Sequence, residues 1–210
     1  MRHFATVGAA ADQPDLRGAA LYGRGLCLEL ARDLEGAKAA YAALQKENAG
    51  TRYGGWAEAG LARLARGGRG ASAGQAAAKF GPRLDLEGQS RELRKLAGRP
   101  ALLVFWSPDS KASIDRLLAY RAVWTGTEPR EQMLAFAATG DRERIEQVLR
   151  RADLSVPMLT CDREFLDEVL LDFAVTGVPD ALLLGPDATI VARDPSPAHL
   201  VDLLAELRGR

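Results

Sequence analysis

The chain has 210 residues, 47% of them hydrophobic, and its 28 lysine and arginine residues balance 28 aspartate and glutamate residues. That is enough apolar material for one substantial core and a small second domain, and the zero net charge argues against nucleic acid or an anionic membrane as the principal partner while leaving room for a local patch. No stretch approaches the roughly 18 consecutive apolar residues of a membrane-spanning helix. Polar and glycine residues interrupt Met1 to Ala10, so a soluble chain without a signal peptide is expected, its compartment left open and extracytoplasmic if a leader has been removed.

Residues 1–17, with Asp12-Gln13-Pro14-Asp15, read as an N-terminal arm. From Gly18 to Ala31 the residues Leu21, Tyr22, Gly25 and Leu28 mark one face of a helix, and Arg32-Asp33 makes a tight connection. A second helix runs through Ala37, Ala40, Tyr41 and Leu44 to Asn48-Ala49-Gly50. A third carries Trp56, Ala57, Leu61 and Leu64 and ends in the break Arg66 to Gly70. Gly25, Ala37 and Tyr41 stand at the small, small and aromatic positions of a helical crossing, and residues 18–66 resemble a tetratricopeptide hairpin plus one helix. Leu21 in place of the usual tryptophan and Ala49 in place of the closing proline depart from that pattern. Repeats of this kind need about three neighbours to stand alone, so these helices are expected to dock elsewhere or to belong to a longer array.

Residues 67–79, rich in glycine, alanine and serine, read as a linker, and a second domain spans 80–210. Leu84-Asp85-Leu86 alternates like an edge strand, Glu87-Gly88 turns, and Leu93 and Leu96 mark one helical turn. Ala101 to Trp106 is a continuous apolar run, as in a strand covered on both faces. Ser107-Pro108-Asp109 breaks it, and Ile114, Leu117 and Leu118 then recur at helical spacing behind an N-cap at Asp109 or Ser110. Strand Met133 to Thr139, a helix capped by Asp141, strand Leu154 to Leu159 with Pro157 inside it, and a helix over 165–173 follow. A strand reaching Leu184, the turn 185–188 and a strand from Thr189 to Ala192 form a hairpin. Ser196-Pro197 opens a closing helix through Leu200 and Leu204. The order implies an α/β domain with a mixed sheet flanked by helices, preceded by an α-helical extension.

Phe105-Trp106-Ser107-Pro108-Asp109-Ser110-Lys111-Ala112-Ser113 resembles the Phe-Trp-x-x-x-Cys-x-x-Cys segment of TlpA/ResA-type thiol:disulfide oxidoreductases, relatives of the redoxin domains within the thioredoxin-like superfamily. Thr176-Gly177-Val178-Pro179 resembles the cis-proline loop of that superfamily. The resemblance covers about 80–210 and implies a thioredoxin-like fold. It also implies that Pro179 lies beside the active-site helix and that the Val178 backbone pairs with an extended substrate. The departure is at the chemistry, since Ser110 and Ser113 occupy the positions of both redox cysteines. A serine hydroxyl ionises too weakly to replace the thiolate and forms no disulfide.

Other chemistries find little support. The Thr and peroxidatic Cys of peroxiredoxins are missing after Pro108. His199 carries no triad signature, and Lys111 is a poor base for Ser110 on an exposed turn. His3 and His199 at opposite ends, with Cys27 and Cys161 in different regions, give no metal spacing and imply no cofactor. Cys161, at an expected helix start, is the candidate redox thiol, expected to be exposed and moderately acidic. Two functions follow. One is a redox-inactive scaffold that binds a protein or extended peptide in a groove bounded by Trp106, Ser110, Val178 and Pro179. The other is a thiol:disulfide oxidoreductase working through Cys161 and a partner thiol.

Overall fold

The computed structural model describes residues 14–65, 73–77, 80–125, 132–162 and 167–208. The expected arm up to residue 13 with His3, the glycine-rich break 66–72 and the Phe165 end of the expected 165–173 helix lie outside the described residues. The chain divides into two compact units. One is drawn from Met1–Gly70 and Leu170–Thr176, the other from Ala71–Val169 and Gly177–Arg210.

The helical unit holds α1 (Pro14–Leu30), α2 (Leu34–Glu47) and α3 (Arg52–Ala65). Helix α1 starts inside the stretch expected to be an arm, because Pro14 suits a first helical turn that needs no proline N–H. Asp33 caps α2 by accepting the Gly36 amide at 3.0 Å. Tyr41 is fully buried in a core with Leu28, Ala37, Leu44 and Ala57. A Cβ at Gly25 would run into its ring and one at Gly60 would lie 2.7 Å from it, so the two glycines let α1 and α3 close on the aromatic. Beside the ring, buried Arg63 donates to both oxygens of buried Glu29 at 2.7 Å, and the Tyr41 hydroxyl donates to Glu29 Oε2 at 2.9 Å. Burial by itself would lower the Arg63 pKa; the Glu29 hydrogen bond and charge outweigh it and leave it raised. The Tyr22 hydroxyl donates to the Thr176 carbonyl at 3.3 Å, within the same unit.

The second unit is built on a five-stranded mixed sheet in the order β5-β4-β3-β6-β7. Its strands are β3 (Ala101–Trp106), β4 (Gln132–Ala137), β5 (Met158–Thr160), β6 (Asp180–Leu184) and β7 (Ile190–Arg193), after a small hairpin of β1 (Arg83–Leu84) and β2 (Ser90–Arg91). Strands β3, β4 and β5 run parallel, and β6 and β7 antiparallel to their neighbours. The helices are α4 (Lys111–Thr125), α5 (Arg142–Arg151), the short α6 (Glu168–Asp172), which lies across the unit boundary, and α7 (Pro197–Arg208), with a 3-10 turn at Leu93–Leu96. This is a mixed α/β architecture, a five-stranded sheet flanked by helices, with the helical region ahead of it in the sequence.

Strand β3 is buried along its whole length, in agreement with its unbroken apolar run. Leu102, Val104 and Trp106 pack under α4, α5 and α7 with Leu117, Ile145 and Leu200. On the other face Phe105 stacks on Phe136 with centroids 5.3 Å apart, and Phe80 meets Phe136 edge-on at 5.6 Å. Two elements are shorter than the sequence implies. β5 begins only after Pro157, whose missing N–H keeps it out of the ladder while its carbonyl accepts the Ala135 amide. The expected strand 84–86 stops at Leu84, because Asp85 Oδ1 accepts the amides of Glu87 and Gln89 at 3.0 and 2.8 Å and bends the chain. Part of the expected linker is also ordered. Gly74 donates to Ile190, Ile190 to Gln75, and Ala77 to Ala188, so residues 74–77 run along the start of β7.

Candidate functional site at the end of the central strand

The run that makes β3 ends at Trp106, and the next residues form a turn held by serine hydroxyls and backbone. The Asp109 amide donates to Ser107 Oγ at 3.2 Å, and the Ser110 amide to the Ser107 carbonyl at 3.3 Å. Ser110 is the N-cap of α4, since its Oγ accepts the Ser113 amide at 3.2 Å and its carbonyl the Ile114 amide at 3.0 Å. Ser113 sits one turn in, on the buried face with Leu117 and Tyr120. It is fully buried, and its Oγ has no hydrogen-bond partner among the described residues.

The sheet register fixes what stands beside this turn. Phe105 pairs with Asp180 in the antiparallel β3–β6 ladder, so the next position along each strand sets Trp106 against Pro179. The Val178–Pro179 peptide bond is cis. Val178 is half-buried, and among the described residues its amide and carbonyl take part in no hydrogen bond. Behind the loop, Asp180 is buried and ion-paired with Arg193, and its Oδ1 accepts the Ala181 amide at 2.8 Å. Burial pushes its pKa up, against the pull of Arg193. Arg116 binds Asp194 at 2.8 Å, and the Tyr120 hydroxyl donates to the Pro195 carbonyl at 2.6 Å, tying α4 to the chain after β7.

Ser110, Ser113, Val178 and Pro179 therefore gather at one end of the sheet. Trp106 reaches the same end but does not line a groove as expected. Its side chain is fully buried, with the indole N–H directed at Met158 Sδ at 3.1 Å, so it offers a ligand no surface. Cys161 also departs from expectation. It lies at the end of β5, two strands from β3, and is wholly inaccessible. Burial, reinforced by Asp167, pushes its thiol up rather than down. The Cys161 amide donates to the Ala137 carbonyl at 2.9 Å, so the residue continues the β4–β5 ladder where a free helix start was expected. Cys27 is half-buried and also free.

A serine nucleophile lacks its supports. Ser110 Oγ already accepts the capping amide, and Lys111 is exposed and ion-paired with Asp115 at 2.6 Å, so nothing desolvates it into a base. Among the described residues no three His, Cys, Asp or Glu side chains gather as a metal site, and no helix is long and apolar enough to cross a membrane. Sequence reasoning missed the Asp180–Arg193 pair. Its signal was a carboxylate directly after Pro179 at the mouth of an apolar strand, where burial demands a partner.

No protein-family model matches the sequence, and no curated protein sequence matches it. Solved structures do. The C-terminal domain of a Bacteroides thetaiotaomicron protein described as a thiol-disulfide oxidoreductase superposes with a TM-score of 0.60 at 16% identity, over 67% of this chain and 99% of that one. A thiol-disulfide oxidoreductase from Bacteroides fragilis gives 0.56 at 23% identity, over 63% and 99%. The thioredoxin domain of a thiol-disulfide oxidoreductase from Bacteroides vulgatus gives 0.54 at 18%, over 64% and 96%. At these identities the likeness establishes the fold.

Proposed function

We propose that this chain is a thioredoxin-fold binding module for a protein or extended peptide, with no dithiol redox chemistry of its own. The observation that carries the reading is the placement of Ser110 and Ser113 at the α4 N-terminus, one spent as the cap and the other buried without a partner. A helix N-terminus lowers the pKa of a thiol placed there. Here it meets hydroxyls, which stay protonated and cannot cycle through a disulfide. The unpaired amide and carbonyl of Val178 support the binding half of the reading, since an extended segment laid beside them would gain main-chain hydrogen bonds in the manner of an added strand. An oxidoreductase acting through Cys161 needs a reachable thiol, and the burial of Cys161 weighs against it.

The test is reduction of insulin by dithiothreitol, comparing wild type with the Ser110→Cys, Ser113→Cys double variant. Wild type is expected to leave the uncatalysed rate unchanged and the double variant to raise it. Catalysis by wild type would sink the proposal, and silence from a well-folded double variant would remove the alignment of these serines with a redox pair.

A further inference from the structure

On the outer side of the Ser107–Ser110 turn, α4 and α5 leave a cleft of about 340 Å³ between them. Its apolar floor is Pro108, Ile114, Leu118 and Val148, and its charged liners are Arg144 and Arg151. Among the described residues no carboxylate lines its floor. Arg144 is held at 3.1 Å by the largely exposed Asp109, whereas Arg151, itself exposed, makes no ion pair among the described residues. Arg150, its neighbour in the last turn, pairs with Glu146. A cation in that turn suits the helix dipole, but the dipole does not account for two guanidinium groups of different turns lining one apolar slot.

We infer that this cleft takes an anchor segment of a partner protein in which an apolar side chain is flanked by a carboxylate, the apolar group seated on Ile114 and Leu118 and the carboxylate paired with Arg151. The inference names the partner chemistry of the peptide-binding reading and rests on it, because the floor residue Pro108 belongs to the turn that leaves Trp106, whose place in the sheet register is opposite Pro179. Arginine suits the task, since its planar fork meets a carboxylate through two parallel hydrogen bonds. A volume near 340 Å³ is at the small end of ligand cavities, which span about 300–1,000 Å³. An anionic membrane fits less well. Glu143 and Glu146 are interspersed among the arginines of α5, whereas a lipid-binding patch gathers about 4–8 cations of one sign.

The experiment is a titration of the whole chain, followed by amide NMR, with two acetylated hexapeptides, Gly-Leu-Glu-Phe-Glu-Gly and its Lys-for-Glu counterpart. The acidic peptide is expected to shift the Ile114 and Val148 amides and to bind about tenfold more tightly than the basic one, the scale of a charge-assisted bidentate contact. Arg151→Glu should erase that preference, and because Arg151 is exposed the variant is expected to keep its circular dichroism spectrum. Arg144→Gln, which leaves Asp109 at the rim, should reduce it. Equal binding of the two peptides, or a preference that survives Arg151→Glu, overturns the inference. So does Arg151-dependent binding to mixed phosphatidylcholine and phosphatidylserine vesicles without binding of the acidic peptide. The Val178 amide separates the two readings. If it shifts while Ile114 and Val148 stay still, the cleft is wrong and the groove stands; if it stays still while they shift, the groove is wrong and the cleft stands.

Discussion

At the start of α4 one hydroxyl is used and the other is not, and substitution should distinguish them by sign. Ser110→Ala removes the cap on the Ser113 amide and is expected to cost about 1 kcal/mol. Ser113→Ala removes a buried hydroxyl without a partner, whose desolvation costs about 1–3 kcal/mol, and it places a better helix former there. It should therefore stabilise the chain by about 1 kcal/mol in urea unfolding, and a loss of stability would mean that the Ser113 hydroxyl is bonded after all. The N-cap was legible because Ser-x-x-Ser after a proline turn has a local meaning. The fates of Trp106 and Cys161 were not, because burial is decided by elements distant in sequence: Met158 sits against the indole, and the β4–β5 ladder encloses the thiol.

Among the elements, the three N-terminal helices close around one ring. An alanine in place of a mid-helix glycine ordinarily stabilises by about 0.5–1 kcal/mol. At Gly60 the added methyl would meet the Tyr41 ring at 2.7 Å, and overpacking of that kind costs about 1–3 kcal/mol, so the clash should win. Gly60→Ala is expected to lower the urea midpoint, whereas Gly55→Ala, where nothing lies within 4 Å, should raise it. Equal effects at the two positions would refute the packing account. The periodicity marked these helices, and Gly25, Ala37 and Tyr41 marked their crossing. The pairing of Glu29 with Arg63 escaped notice, although each follows a glycine of the crossing by one helical turn and so lies on the face that closes on Tyr41. Charges on such a face need each other, because removing one partner of a buried pair costs about 3–5 kcal/mol.

For the molecule as a whole, the alternation of strand and helix and the resemblance at 105–113 carried the α/β architecture, because a parallel β3–β4–β5 run demands helical crossovers and the apolar strands demand cover. The composition of the helical unit was beyond the reach of pattern. Its last piece, Leu170–Thr176, comes from a region that reads as part of the other domain, and its hydrogen bond from Tyr22 to Thr176 spans 154 positions.

That discontinuity sets an order on the ribosome. Synthesis runs at about 5–20 residues per second, so the three helices would wait on the order of five to twenty seconds after their own emergence before Thr176 follows them. Through that interval the Tyr22 hydroxyl has no Thr176 carbonyl to meet. The nascent helices are then an unfinished body for which chaperones and proteases compete. A fragment ending at Gly70 reproduces that state. Its Tyr41 amide should exchange faster than in the full chain, and equal protection would show that the helices are complete when they emerge.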